Sequence, residues 1–233
     1  MRDYTNRAFC ESAFRGAVYF PARAYNAYQT YEYYDSAEID RDFGYAEKAG
    51  LRALRIFTSF EQWQKDGDAF FAKYDDLLEK AGKHGIKVLS ILFEHCGRDF
   101  SFEHAMDRDP LTAVCVRSPR IERVEDSALW GPCYDYVDAF FDRYDGNENI
   151  AAIEIMNEPN FRTNDVIFAR AMLERAYARH GKSGLSMGGI NLGDSMMYGD
   201  MLDVIQIHEN VPTTEKQIED FLKQAKRVME MAG

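Results

Sequence analysis

The 233-residue sequence predicts an α/β protein of the (β/α)8 TIM-barrel type, incomplete, with about six βα units written. Three observations carry that prediction. Short runs rich in Val, Ile and Phe alternate with helical patterns, roughly 35 residues from one strand to the next, and such alternation implies parallel strands joined by right-handed crossovers. Three helical patterns stop at a glycine (KAG at Gly50, KHG at Gly85, RHG at Gly181), the residue that most readily takes the left-handed conformation ending a helix, and a strand pattern follows each. Polar residues stand at the C-terminal end of strand after strand: Asn26, Arg55, Glu94, Asn157 with Glu158, Asn191 and His208. A barrel gathers its chemistry at that rim. An open doubly wound sheet would instead carry a glycine-rich phosphate turn after its first strand, where this sequence has PARAYN.

The strand patterns are 16–20 (GAVYF), 51–57 (LRALRIF), 86–93 (IKVLSILF), 150–156 (IAAIEIM), 185–190 (LSMGGI) and 204–208 (VIQIH), each short and apolar as a strand covered on both faces requires. The helical patterns begin with 37–49, which puts Ile39, Phe43, Ala46 and Ala49 near one face, and 68–83, which carries Phe70, Phe71, Tyr74, Leu77, Leu78 and Ala81. Pro132 suits the first turn of a helix over 132–144. Asn164 is placed to cap 164–180, with Ile167, Phe168, Ala171, Met172 and Tyr177 inward. Thr214 and Gln217 have capping-box spacing at the start of 214–231, where Ile218, Phe221, Leu222, Ala225, Val228 and Met229 follow at helical period. The last residues, MEMAG, write a helix stop at Gly233 without the strand it would feed. The expectation is one domain over 1–233 that lacks its last two βα units, leaving the first and sixth strands as open edges that invite self-association.

Composition narrows the function. With 46% apolar and 29% charged residues the chain is an ordinary soluble globular protein with a sizeable core. A net charge of −11 gives no pull toward phosphate backbones, so nucleic acid is not an expected partner, while a neutral ligand such as sugar is acceptable. No run of about 18 apolar residues predicts a membrane span. MRDYTNRAFCESAF lacks the apolar stretch of a signal peptide, so the reading is cytoplasmic, or secreted if a signal was removed. Cys10, Cys96, Cys115 and Cys133 form no CxxC pair and read as reduced thiols. There is no HxH or HExxH, and GGINLG at 188–193 lacks the lysine and hydroxyl of a phosphate loop, so neither metal nor cofactor is expected. His84 and His180, each before a helix-ending glycine, read as partners of the helix dipole.

The stretch that concentrates chemistry is IAAIEIMNEPN, residues 150–160, where a buried strand ends in Asn-Glu-Pro. A carboxylate there is costly without a partner or a task. Read alone, Glu158 either does chemistry or simply opens a loop, and Arg55 either serves a site or is a structural ion-pair partner. The rim residues resemble those of clan A glycoside hydrolases, (β/α)8 enzymes of the cellulase and β-mannanase type: LRIF with Arg55, LFEHCG at the third strand, MNEP at the fourth and His208 at the sixth. The resemblance implies that Glu158 is the acid/base, that Asn157 bonds the sugar 2-hydroxyl, that Arg55 keeps a nucleophilic carboxylate ionised and that His208 contacts sugar or a neighbouring side chain. The family often shows His-x-Tyr at this last place; here Asn210 stands where the tyrosine would be.

The chemistry is consistent with that assignment. A glycosidic oxygen leaves only when protonated, so one carboxyl must carry a proton near neutral pH and act as base in a second step. Substrate contacts are expected from Tyr25, Asn26 and Tyr28 in the tyrosine-rich YNAYQTYEYYD, from Glu94, and from Trp130 at the end of a long polar connection over 97–131. The tyrosines are equally suited to covering the seam between strands and helices. Resembled enzymes place the nucleophilic Glu at the end of a seventh strand, which this sequence does not write; Glu94 and Glu209 are the other carboxylates at strand ends. The expectation is a retaining hydrolase domain for a β-linked oligosaccharide or polysaccharide, inactive as it stands, or alternatively a non-catalytic carbohydrate-binding barrel.

Overall fold

The structure is a computed structural model that describes residues 15–160, 163–189, 197–199, 201–208 and 212–232. Cys10, Asn191, Glu209, Asn210 and Gly233 lie outside the described residues, as do the side chains of Val228 and Met229. Six strands form one sheet: β1 Gly16–Val18, β2 Ala53–Phe57, β3 Lys87–Glu94, β4 Ile150–Asn157, β5 Gly184–Met187 and β6 Val204–Ile205. Their spatial order is their chain order, and every neighbouring pair is parallel. A doubly wound sheet reverses its strand order part-way, whereas a barrel wall advances one strand at a time. The fold is therefore an incomplete (β/α) barrel, a curled wall with, among the described residues, six of the eight strands of a closed one.

The strand patterns hold with their edges trimmed. β3 and β4 are the longest, with eight residues each, and β4 is buried throughout. The sixth pattern supplies only two paired residues, and the fifth ends at Met187, its last predicted residue lying outside the described set. The helix patterns appear as Ser36–Lys48, Gly67–Lys83, Gly131–Tyr144, Asp165–Arg179 and Glu215–Ala232. The 214–217 capping box forms as written: Thr214 Oγ1 accepts from Gln217 N at 3.2 Å and Gln217 Oε1 from Thr214 N at 3.0 Å. Asn164 precedes its helix but makes no side-chain cap bond, and Ile167 and Tyr177, expected inward, are 61% and 38% exposed. His180 bonds the Tyr177 carbonyl at 2.8 Å, as a helix-end residue does, whereas His84 lies between Asp40 and Glu47 of the preceding helix, which raise its pKa.

Two stretches between the main patterns contain short helices of their own. YNAYQTYEYYD forms Ala27–Glu32, and the 97–131 connection contains Phe102–Met106, Ile121–Glu125 and a 3-10 turn over Ser127–Leu129. The aromatic residues fill the layer between sheet and helices, where Tyr31, Tyr74, Tyr136 and Tyr144 pack with Phe60, Phe70, Phe93 and Phe140. Each of these tyrosines has a hydroxyl partner: Tyr31 the Phe57 carbonyl at 2.9 Å, Tyr74 the Ser90 hydroxyl, Tyr136 the Thr58 hydroxyl at 2.6 Å and Tyr144 Asp75 at 2.8 Å. Tyrosine suits that layer because it buries a ring while its hydroxyl satisfies a polar group on a neighbouring strand, loop or helix.

Candidate active site

β2, β3, β4 and the residues after β6 bring their C-terminal ends together. The register sets Val18 beside Arg55, Arg55 beside Leu89, and Glu94 beside Asn157, so side chains far apart in sequence meet at one rim. Glu158 follows β4 with φ +46°, in the left-handed region that few residues other than glycine adopt. That turn ends the strand, and Glu158 N is held by the Gly188 carbonyl at 3.0 Å. Strained backbone held by its surroundings is characteristic of functional positions.

A continuous hydrogen-bonded chain runs across this rim. Arg55 Nε and Nη2 grip the two oxygens of Glu154 at 2.9 and 2.5 Å, and Gln206 Nε2 donates to Glu154 Oε2 at 2.8 Å and to Ser186 Oγ at 2.7 Å. Arg55 Nη2 also donates to Asn157 Oδ1 at 2.5 Å, which orients the amide so that Asn157 Nδ2 donates to Glu94 Oε1 at 2.8 Å. Cys96 N donates to the same Glu94 oxygen at 2.5 Å, and Cys96 Sγ donates to Glu158 Oε2 at 3.2 Å. His208 Nδ1 lies 2.7 Å from Glu158 Oε1. Both oxygens of Glu158 are thus held while the side chain keeps 18% exposure, compared with none for Glu154.

Burial pushes Glu94 up to about 7, against hydrogen bonds from Asn157 and the Cys96 backbone and the charge of Arg55. Burial, with Glu94 and Glu158 nearby, pushes the Cys96 thiol far up, so it stays protonated and serves as a donor. Among the described residues no three His, Cys, Asp or Glu side chains are set to hold a metal ion, and no helix is long and apolar enough to cross a membrane.

The structure brings Arg55, Glu94, Asn157, Glu158 and His208 into one cluster and sets the other expected contacts apart. Asn26 is fully buried; its Oδ1 caps the Ala27–Glu32 helix through Gln29 N, and its Nδ2 reaches the Ala105 carbonyl. Tyr28 is buried against Phe100 and Phe102. Trp130 is buried against Phe168, with Nε1 bonded to the Val124 carbonyl at 3.2 Å. Tyr25, 37% exposed, has a solvent-facing ring surface. The sequence reading missed Glu154, Cys96, Gln206 and Gly188. A signal existed for Glu154, a carboxylate midway along the apolar IAAIEIM, but none for Gly188. A Cβ there would stand 2.4 Å from Glu154 Oε1 and 3.1 Å from both Asn157 Cα and His208 Cε1, so only glycine lets β5 pass the cluster.

No protein-family model and no curated protein matches the sequence. Solved structures do. An exo-β-1,4-mannosidase from Opitutaceae bacterium strain TAV5 superposes with a TM-score of 0.55 at 14% identity, over 75% of this chain and 31% of that one. A glycoside hydrolase family 5 mannosidase from Rhizomucor miehei gives 0.61 at 13% identity, over 89% and 65%. An endo-1,4-β-mannanase from Eisenia fetida gives 0.53 at 10% identity, over 77% and 58%. The fold is the (β/α)-barrel fold of these glycoside hydrolases. The chain spans less than two thirds of the length of each of these three structures.

Proposed function

We propose that this chain supplies the acid/base half of a retaining glycoside hydrolase site for a β-linked glycan, with β-mannan the first substrate class to try. The observation that carries the proposal is Glu158, a partly exposed carboxyl at the β4 tip held on Oε1 by His208 and on Oε2 by Cys96, with Asn157 locked beside it. In the first step a protonated Glu158 gives its proton to the glycosidic oxygen as the C–O bond breaks. In the same step a nucleophilic carboxylate bonds the anomeric carbon as that C–O bond breaks. In the second, the Glu158 carboxylate takes a proton from water as the water attacks the anomeric carbon and the bond to the nucleophile breaks. Asn157 is neutral, so it can bond a hydroxyl without stabilising the Glu158 anion.

A retaining enzyme also needs a nucleophilic carboxylate about 5–5.5 Å from the acid. Glu94 is joined to Glu158 through Cys96 but is ill suited to the role: it is 4% exposed and burial keeps much of it protonated at neutral pH. In this reading none of the described carboxylates serves as the nucleophile, and the expectation put to the test is glycan binding without turnover.

The test uses the chain with aryl β-mannosides and β-glucosides, together with calorimetric titration of manno- and cello-oligosaccharides. The expected result is binding, no turnover in buffer, and turnover restored by azide or formate acting as an external nucleophile. Glu158→Gln should abolish the rescue for poor leaving groups and leave binding in place. Binding with no rescue favours a purely sugar-binding barrel, and turnover in plain buffer that Glu158→Gln abolishes defeats the missing-nucleophile claim. Absence of both binding and turnover defeats the glycan assignment itself.

A further inference from the structure

Beside the Glu158 cluster, and sharing none of its residues, lies a cleft of about 490 Å³ between the Phe60–Lys65 helix and the 97–131 connection. We propose that this cleft is a second binding site, specific for a small aromatic carboxylate.

One wall is aromatic. Phe60, Phe100 and Phe102 line it, the Phe100 and Phe102 rings meet edge to face at 5.6 Å, and Phe102 is 69% exposed. The exposed Phe102 ring leaves an apolar face in the cleft open to a ligand. The same cleft is lined by three cations, Lys65, Arg120 and Arg123. Lys65 is paired with Glu32 and Arg120 with Glu122. Arg123 has no carboxylate at ion-pair distance among the described residues. It lies over the Phe60 ring at 5.4 Å and spends Nη1 on the Leu129 carbonyl at 2.7 Å. A guanidinium fixed by one carbonyl and one ring presents its remaining donors in a fork that matches a carboxylate. The one acid in the cleft, Glu61, accepts a hydrogen bond from Ser118 Oγ at 2.7 Å, and burial raises it to about 7, which blunts its repulsion of an anion.

The aromatic and cationic linings together define the ligand class. An inorganic anion would use the cations and leave the aromatic wall wet; a neutral ring would leave Arg123 unmatched. A flat ring bearing a carboxylate satisfies both, and the cleft volume suits a molecule of that size.

The experiment titrates the whole chain with benzoate, and separately with acetate, benzyl alcohol and inorganic phosphate. It follows backbone amide shifts over 60–65, 100–102 and 120–123, and the fluorescence of Trp63, whose ring stacks near Phe60 at 6.1 Å. Benzoate should saturate these signals, with the other three probes at least about tenfold weaker, as loss of either the charge-assisted bonds or the ring contact demands. Phe102→Ser, an exposed position whose variant should melt like the parent, and Arg123→Gln should each weaken benzoate about tenfold. Glu158→Gln should leave benzoate binding unchanged, so failure of the glycosidase reading is separate from failure of this one. The proposal is overturned by unsaturable benzoate shifts, by acetate or phosphate binding as tightly (a plain anion site), by benzyl alcohol binding as tightly (a plain apolar patch), or by a well-folded Phe102→Ser that binds benzoate like the parent.

Discussion

Replacing Glu154 by leucine should destabilise the protein severely, and replacing Arg55 by methionine as well should recover most of the loss. Glu154 is fully buried, both its oxygens face the Arg55 guanidinium, and Gln206 supplies a third donor. Removing one partner of a buried, hydrogen-bonded ion pair costs about 3–5 kcal/mol, because the survivor keeps its charge without water or counter-charge. Arg55 retains 16% side-chain exposure, so Glu154→Leu belongs at the lower end, about 3 kcal/mol. Arg55→Met strands a carboxylate with no exposure and should cost more. The double variant removes both charges, and an apolar pair of similar volume is often close to neutral. Urea unfolding followed by tryptophan fluorescence measures all four proteins, since Trp63 and Trp130 both pack against the core. With an m-value of about 2 kcal/mol per molar urea, a loss of 3 kcal/mol moves the midpoint down by about 1.5 M. If the double variant loses the sum of the single losses to within about 0.5 kcal/mol, the pair is not coupled and the argument is wrong.

Other expectations concern the same rim. Gly188→Ala drives a methyl into Glu154, Asn157 and His208 and should cost about 2–3 kcal/mol, seen in thermal melts, with the His208 imidazole NMR signals displaced. Glu94 titrates near 7 in the folded state, above its ordinary value of 4.5, so the folded state holds a proton that the unfolded chain has lost across that window; its contribution is present below about 4.5 and is lost as pH rises through 7, about 3 kcal/mol in all. Glu94→Gln mimics the protonated acid and keeps the acceptor for Asn157 and Cys96, so it should be the more stable protein at pH 8 and equal at pH 4.5; Glu61, raised in the same direction, is present in both and cancels. Tyr25→Ala should leave the melting temperature nearly unchanged while weakening oligosaccharide binding several-fold, whereas Trp130→Ala should cost about 3–5 kcal/mol of stability, and the reverse pattern would reassign the sugar contact.

The alternation of patterns was legible because strands buried on both faces must be almost wholly apolar and crossover helices must carry one apolar stripe. Short helices such as Phe60–Lys65 and Phe102–Met106 escaped notice because five or six residues are too few to establish a helical period. The aromatic-rich 25–35 segment was ambiguous for a different reason: tyrosine serves a sugar platform and buried packing equally well, and burial decided for the strand–helix seam at Tyr31 and for packing against the 97–131 connection at Tyr28. Trp130 was placed at the rim by its position in a loop, yet its indole N–H finds the Val124 carbonyl and its ring finds Phe168, contacts that no local pattern announces.

By itself the sequence determined the parallel (β/α) architecture and the rim positions of Arg55, Glu94, Asn157, Glu158 and His208, since residue order along each strand dictates which end a side chain occupies. Only the tertiary structure decided what those residues touch. That Arg55 grips Glu154 from β4, that Cys96 stands between two carboxyls, and that Gly188 must lack a side chain all depend on the register between strands, and register is settled by packing across the whole sheet.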